Sequence, residues 1–208
     1  MSKKSTTMKL KPSDRLIEEI LAGDIRKDAA EDAVRSILTY IGEDPKREGL
    51  LDTPKRVAKA WREMTCGYAM DPVKVLGTDF EKDGYDQMIH VPTIEFVSNC
   101  EHHAMPFWGH VWVAYVPRHR VVGLSKVGRL VDVFARRLQI QERMTRQICD
   151  TMQSVLNPLG VAVRVKAEHS CMKFRGVMKQ DSCMVTTALT GCFRRSTAAR
   201  EEFLAECR

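Results

Sequence analysis

The chain has 208 residues, of which 44% are hydrophobic and 29% charged. This length and composition fit one globular domain that can bury a core without disulfide staples. Lys and Arg number 33 against 27 Asp and Glu, a net charge of +6. That excess suits an anionic ligand but is too small by itself to indicate nucleic-acid binding. No apolar run approaches the roughly 20 residues that a transmembrane helix needs, so no membrane partner is expected.

The N-terminus and the cysteines bear on location and domain organisation. The opening residues, MSKKSTTMKLKPSDR, lack the apolar segment of a secretory signal, so we expect a cytoplasmic protein. The seven cysteines are odd in number and irregular in spacing, which argues against a disulfide framework. We predict a flexible tail over residues 1–27 and a single domain over 28–208. Within it we expect a helical hairpin over 28–70 and a core over 71–208.

Two helices are predicted in the hairpin. Apolar residues recur at helical spacing over residues 29–41, and Gly42 follows as a stop signal. Thr53 and Pro54 then supply an N-cap and a proline at the first helical position of the next helix.

The core is predicted to contain two strands, two helices and two further strands, followed by a final helix. The predicted elements are a strand over 87–97 made irregular by Pro92, a strand over 109–116, a helix capped by Ser125, a helix over 139–156, a half-buried strand over 161–167, a strand over 183–190 and a helix from Ser196. Strands so close in sequence favour antiparallel pairing, with helices covering one face of the sheet. The fold class is therefore α+β, not a doubly wound parallel sheet.

Cysteines and histidines follow two of these strands. Cys100 and His103 have C-x-x-H spacing directly after the first strand, and Cys171 follows the strand over 161–167. If the two strands are neighbours, their ends could bring the three residues together. Thiolate and imidazole ligands favour Zn²⁺, and three protein ligands leave a position open for water, as in catalytic zinc sites. A fourth ligand from Cys183 or Cys192 would instead make the site structural.

Two further histidines adjoin these candidate ligands. His102 lies beside His103, and His169 precedes Cys171 by two residues. An imidazole near a zinc-bound water is a natural general acid or base at neutral pH. The alternative for either is a histidine whose hydrogen bonds are satisfied by the backbone.

Polar residues at helix starts suggest sites for an anion and a base. Ser125, Lys126 and Arg129 lie in the first turns of a predicted helix, where free N–H groups and the helix dipole favour phosphate. Gln141 and Glu142 open the next helix. A carboxylate there can accept paired hydrogen bonds from a guanine ring, or it can simply complement the helix dipole.

Three segments carry a resemblance to a known family. The segments SNCEHHAMPFWGHVWVAYVP, VVGLSKVGRLVDVFARRLQIQERMTRQI and AEHSCMKFRGV, with TPKRVAKAW before and REEFL after them, resemble GTP cyclohydrolase I. The resemblance spans about residues 30–206. It implies the tunnelling fold, an antiparallel sheet backed by helices, in a toroidal homodecamer with active sites at subunit interfaces. It also implies conversion of GTP and water to 7,8-dihydroneopterin triphosphate and formate.

The resemblance implies a role for each candidate residue. It places the zinc ligands at Cys100, His103 and Cys171, the catalytic groups at His102, His169 and Ser125, the guanine contacts at Glu142 and Gln141, and the triphosphate contacts at Lys126, Arg129, Arg175, Arg56 and Lys59. The sequence departs from the family's motifs at none of these positions.

Two other interpretations compete with this one. A related tunnelling-fold enzyme, such as a nitrile reductase, would use a cysteine nucleophile with NADPH and would not need the paired C-E-H-H and H-S-C motifs. A zinc-stabilised basic module could bind nucleic acid. The sequence has no recognisable nucleic-acid motif and no stripe of basic and aromatic residues, so no nucleic-acid partner is expected.

Overall fold

A computed structural model describes residues 27–77 and 79–207, so all but the last residue of the predicted tail lies outside the described chain. The contacts divide the chain into two units, one ending at Glu63 and one beginning at Met64. The sequence-based boundary at residues 70/71 remains a prediction. In the described part, no helix combines the length and apolar character needed to cross a bilayer.

Every element predicted from residue 29 onward is present in the described chain, with ends shifted by a few residues. The helices are α1 (Lys27–Tyr40), α2 (Thr53–Met64), α3 (Pro72–Leu76), α4 (Leu124–Ala135), α5 (Gln141–Leu156), α6 (Ser170–Lys173), α7 (Gly191–Arg195) and α8 (Thr197–Ala205). The strands are β1 (Asp79–Glu81), β2 (Ile89–Cys100), β3 (Pro106–Val116), β4 (Arg120–Val122), β5 (Leu138–Gln139), β6 (Gly160–His169) and β7 (Met184–Leu189).

Five of the described strands form the main sheet, in the order β5-β2-β3-β6-β7. The pairs β2–β3, β3–β6 and β6–β7 are antiparallel, and the short β5 pairs in parallel with β2. Strands β1 and β4 form a separate antiparallel pair. The predicted irregularity at Pro92 is confirmed, because the β2–β3 register shifts between Val91 and Ile94. The α+β fold class is likewise confirmed, with α4 and α5 packed on one face of the sheet.

The prediction that β6 is half-buried was wrong for its first half. The strand is buried on both faces from Gly160 to Val163. One face packs on the core beneath α4 and α5. The opposite face is covered by a second cluster, in which Ala162 packs with Phe193 of α7 and Phe203 of α8. Apolar residues on both faces are expected where helices cover a strand from both sides.

Ser125 does not cap its helix, contrary to the prediction. Helix α4 begins at Leu124 and its N-cap position is Gly123, whose extended backbone enters the helix without a side-chain cap. The first turn closes instead through the Lys126 N–H, which donates to the Gly123 carbonyl at 2.9 Å. The Ser125 side chain is therefore exposed in the first turn and free to meet a ligand.

Helix α5 begins two residues later than predicted, because Leu138 and Gln139 form β5. These residues pair with Asn99 and Cys100 at the end of β2. The Glu101 N–H also donates to the Gln139 carbonyl at 2.9 Å. This pairing sets the start of α5 beside the C-E-H-H segment.

Gly109 of β3 allows close contact between β3 and β6. A Cβ at this position would collide with the backbone of Lys166 and Ala167. Since these backbone atoms belong to the paired strand, Gly109→Ala is expected to lower the free energy of unfolding by about 1–3 kcal/mol.

The control for this substitution is Gly128→Ala in α4, where the new Cβ meets nothing within 4 Å in the described chain. It should raise the free energy of unfolding by up to about 1 kcal/mol, since alanine favours helix. Urea unfolding followed by circular dichroism measures both. Equal stability of the two variants would contradict this packing of β3 on β6.

Candidate metal centre and adjoining cavity

The C-E-H-H segment is a tight turn between β2 and β3. Cys100 ends β2, and its N–H donates to the Met105 carbonyl at 2.8 Å. The Ala104 N–H donates a hydrogen bond to the Cys100 carbonyl at 2.8 Å, and Ala104 adopts a φ of 55°. The turn leaves Cys100 Sγ 4.0 Å from His103 Nδ1.

Cys171 reaches the same place from β6. The predicted convergence is found, but β2 and β6 are not neighbours, because β3 lies between them. Both are antiparallel to β3, so their carboxyl ends lie at the same edge of the sheet. Cys171 follows in the short α6, and the Ser170 hydroxyl donates to the Pro106 carbonyl at the start of β3.

The three donor atoms fit a single metal ion. Those of Cys100, His103 and Cys171 all lie within 4.8 Å of one another. Two donors on a tetrahedral zinc are about 3.4–3.8 Å apart, so small side-chain movements would complete the site. Burial raises the pKa of the Cys171 thiol, and the Cys100 sulfur raises it further. A cation between the two sulfurs would hold both as thiolates.

The structural alternative, with a fourth ligand, is not supported in the described chain. Cys183 lines the adjoining cavity but is not part of the metal-binding group, and neither is Cys192. Three protein ligands are typical of zinc sites that keep one position open.

A cavity of about 270 Å³ adjoins the three donors. Its lining includes the three donor residues, both predicted catalytic histidines and the start of α5, namely Cys100, His102, His103, Gln139, Ile140, Gln141, Glu142, His169, Cys171, Met172, Ser182, Cys183 and Met184. This volume lies just below the range of about 300–1,000 Å³ usual for small-molecule sites. It suits part of a larger ligand whose remainder lies outside.

The two predicted catalytic histidines lie in different environments. His102 is exposed, with Nδ1 3.9 Å from Cys100 Sγ. His169 is half-buried and stacks on Phe107, with ring centroids 4.6 Å apart and planes 3° from parallel. Burial lowers the pKa of His169, opposed by the nearby Glu142 carboxylate. Its Nε2 lies 2.9 Å from Gln141 Oε1.

The predicted anion-binding residues are only partly gathered here. Arg175 lies 3.0 Å from His103 Nε2 through its Nη1. In the part of the chain that the structure describes, the cavity lining does not include Ser125, Lys126 or Arg129. All three lie in the first two turns of α4.

Arg56 and Lys59 belong to the other unit and lie on α2. Arg56 pairs with Asp52 at 3.1 Å, and Lys59 pairs with Glu63 at 3.7 Å. All four side chains are largely exposed, so these ion pairs hold the two cations only weakly. Their expected contact with a triphosphate remains a prediction.

The structure adds residues that sequence reasoning missed. Arg143 of α5 forms two hydrogen bonds with the Glu101 carboxylate, at 2.6 and 2.8 Å, and lowers the pKa of Glu101. This pair ties the C-E-H-H turn to α5. Thr145 and Thr186 form a partly buried hydrogen-bond network with Gln141. No local motif signals these contacts, because their partners lie about forty residues apart in the sequence.

Comparisons with known proteins bear on the same residues. The family model for GTP cyclohydrolase I matches residues 30–208, which include the whole centre. The GTP cyclohydrolase 1 of Wolinella succinogenes is 54% identical over 183 residues, covering 88% of this chain and 98% of the relative. That of Brucella canis is 54% identical over 179 residues, covering 86% of this chain and 84% of the relative.

Among solved structures, the archaeosine synthase QueF-Like in the apo form aligns with a TM-score of 0.42 at 20% identity. It covers 50% of this chain and 93% of that chain, a likeness too weak to bear on the function. The family match and the relatives both extend through the C-E-H-H and H-S-C motifs that converge at the metal centre. The chain belongs to the GTP cyclohydrolase I family.

Proposed function

We propose that this chain converts GTP and water to 7,8-dihydroneopterin triphosphate and formate, the first step of tetrahydrofolate and pterin biosynthesis, in the cytoplasm. The observation that carries the proposal is the convergence of Cys100, His103 and Cys171 on a cavity shared with His169 and Glu142. Metal donors, proton-transfer groups and a base-recognising carboxylate thus lie together.

Cys100, His103 and Cys171, which line the cavity, would hold Zn²⁺. When bound there, zinc supplies a Lewis acid that lowers the pKa of water toward about 7. An imidazole that gives Nδ1 to a metal carries its proton on Nε2. Coordination through Nδ1 of His103 would therefore release Arg175, which now contacts that Nε2, toward an anionic ligand.

Glu142 is suited to hold the guanine. It lies in the first turn of α5 and lines both the 270 Å³ cavity and a second cavity of about 470 Å³. Its carboxylate can accept from the ring N1–H and the exocyclic amine together, which fixes the orientation of the base. Position C8, at the opposite end of the ring system, would then face the metal donors.

His102 and His169 are suited to move protons. Ring opening at C8 requires protonation of an imidazole-ring nitrogen of the guanine, and release of formate requires a second hydrolysis. Both histidines line the cavity where those atoms would lie. We assign Ser125 to proton transfer in the later opening and rearrangement of the ribose, after which the new amine closes the pterin ring.

The triphosphate would lie outside the cavity, among cations. Arg175 is at the cavity edge, and Lys126 and Arg129 lie at the N-terminus of α4, where backbone N–H groups also favour phosphate. Arg56 and Lys59 are further candidates. The cavity lacks Ser125, Lys126 and Arg129 of its own chain.

The absence of Ser125, Lys126 and Arg129 from the described cavity lining supports a site that a neighbouring copy of the chain completes. Since the family resemblance implies a toroidal homodecamer with active sites at subunit interfaces, we propose that assembly for this chain. The oligomer would bring the first turn of α4 from one chain to the cavity of another, which a single described chain does not do.

Removing the Glu142 carboxylate should weaken recognition of the base. Glu142→Gln is expected to lower kcat/KM for GTP by about 10- to 100-fold, since each hydrogen bond to a charged group contributes about 1.5–3 kcal/mol. It should also reduce the preference for GTP over inosine triphosphate, which lacks the exocyclic amine. Steady-state kinetics with both nucleotides measure this.

The control is Asp150→Asn, which changes an exposed carboxylate on the same helix that pairs with Arg146. It should leave kcat/KM within about twofold of the wild-type value. Unchanged discrimination between the nucleotides in Glu142→Gln would remove Glu142 from base recognition.

The proposed reaction is tested by incubating the protein with GTP, with and without a zinc chelator. Formate is quantified together with pterin fluorescence after oxidation. Equal amounts of both products, lost with chelator, are expected. Formate without pterin would locate a failure in the ribose rearrangement. Neither product from zinc-loaded protein would reject the proposal.

A further inference from the structure

The side-chain amide of Gln141 has a fixed orientation. Gln141 is 1% exposed. Its Nε2 lies 3.1 Å from the Val165 carbonyl, 3.0 Å from the Met184 carbonyl and 3.2 Å from Thr186 Oγ1, three acceptors that its two N–H groups share. Carbonyl oxygens only accept hydrogen bonds, so the amide nitrogen must face the strands β6 and β7. The flipped amide would set its oxygen against two carbonyl oxygens.

Two threonines complete this arrangement in a closed ring of contacts. Thr145 Oγ1 lies 2.7 Å from the Gln141 backbone carbonyl and 2.6 Å from Thr186 Oγ1, a contact in which either hydroxyl can be the donor. Thr186 Oγ1 in turn lies 3.2 Å from Gln141 Nε2. These contacts connect the side-chain amide of Gln141 to its own backbone and help to hold the amide in place.

The orientation of the Gln141 amide determines its contact with His169. Its Oε1 lies 2.9 Å from His169 Nε2. Because Oε1 only accepts, the Nε2–H of His169 is the donor in this hydrogen bond. Stacking on Phe107 holds the plane of the imidazole ring.

We propose that Gln141 is a positioning residue that fixes the imidazole ring of His169 through the hydrogen bond from its Nε2–H to Gln141 Oε1. This rests on the proposed function, in which His169 transfers protons. It differs from the substrate contact that the family resemblance implies for Gln141, since both amide protons are already engaged within the protein. Gln141 acts on the reaction through His169.

The first test compares two glutamines of the same helix. Gln153, like Gln141, donates to a backbone carbonyl, that of Pro158, and bonds a threonine hydroxyl, that of Thr190, but it touches no histidine in the described chain. Gln141→Met should lower kcat by about 10- to 100-fold, because a displaced catalytic group loses alignment. Gln153→Met should leave kcat within about twofold.

The second test separates positioning from substrate contact. His169→Ala supplies a background with slow turnover, in which the Kd for GTP is measured by calorimetry with and without Gln141→Met. A positioning residue leaves Kd within about twofold in this background. A Kd weakened more than about tenfold, or a kcat for Gln141→Met within about twofold of wild type, overturns the proposal.

If Gln141→Met does not fold, Thr186→Val is the milder variant, because it removes only the hydroxyl that contacts the Gln141 amide. Thr186→Val is expected to lower kcat by about 3- to 10-fold and to leave the Kd for GTP unchanged. An unchanged kcat in that variant overturns the proposal. If the wild-type protein releases no formate from GTP, the proposed function fails; if only the positioning role is wrong, wild-type turnover is unaffected.

Discussion

Replacing Cys171 with alanine is expected to remove zinc and to lower formate release from GTP by at least about 10³-fold. Loss of the Lewis acid removes several kcal/mol of transition-state stabilisation, and about 4 kcal/mol corresponds to that factor. Cys100→Ala and His103→Ala should behave alike, because the three donor atoms lie within 4.8 Å of one another and would share one ion. Metal analysis of the purified variants and a formate assay measure the two effects together.

Cys183→Ser is the matched control for these variants. Its thiol lines the same cavity but lies outside the metal-binding group. It should keep its zinc and its formate release within about twofold of wild type. Loss of zinc in Cys183→Ser would restore the structural four-ligand interpretation, and zinc retention with full activity in Cys171→Ala would remove Cys171 from the centre.

The second large effect is expected at the histidines. His102→Ala and His169→Ala should each lower kcat by about 10²- to 10⁴-fold, the usual contribution of a general acid or base. Zinc content should stay at the wild-type level, because neither residue belongs to the metal-binding group. Assaying formate and pterin separately shows which step each histidine serves, since a defect confined to the rearrangement leaves formate release intact.

His119→Ala is the control for these variants, because it changes an exposed histidine in the turn before β4, away from the cavity lining. Its kcat should be within about twofold of the wild-type value. Full turnover in both His102→Ala and His169→Ala would exclude the proposed proton transfers.

Local sequence signals predicted the elements well. The helical spacing over residues 29–41 and over 139–156 depends on residues close in sequence, and the structure confirms a helix in both ranges. The helix predicted after Thr53 is also present, but it begins at Thr53 itself, so the prediction of Thr53 as its N-cap was wrong by one residue. The N-cap of α4 was wrong by two residues. Ser125 is a good cap by type, but Gly123 already offers the extended backbone that enters the helix.

The convergence of the candidate metal donors could also be predicted, although the strand order that produces it could not. The C-x-x-H and H-S-C motifs each follow a strand, and the prediction of a shared site assumed that these two strands are neighbours. Sequence could not reveal that β3 lies between β2 and β6, since strand order depends on the packing of the whole sheet. The prediction of convergence holds because both strands are antiparallel to β3.

Long-range side-chain networks were beyond sequence reasoning. Gln141 follows the pattern of a helix start, and nothing nearby indicates that its amide contacts backbone carbonyls of both β6 and β7. Its partner His169 lies 28 residues away and Thr186 lies 45 residues away. Such contacts follow from tertiary packing alone. The Glu101–Arg143 pair is a second example.

The most direct test of the central claim uses GTP labelled with ¹³C at C8 and protein stripped of metal. Zinc is added stepwise while labelled formate is followed by NMR. The account predicts that labelled formate release rises in proportion to bound zinc and levels off at a single ion per chain. It also predicts no such rise in Cys171→Ala. Labelled formate released at an undiminished rate by zinc-free protein, or none from zinc-loaded protein, would contradict a reaction centred on Cys100, His103 and Cys171.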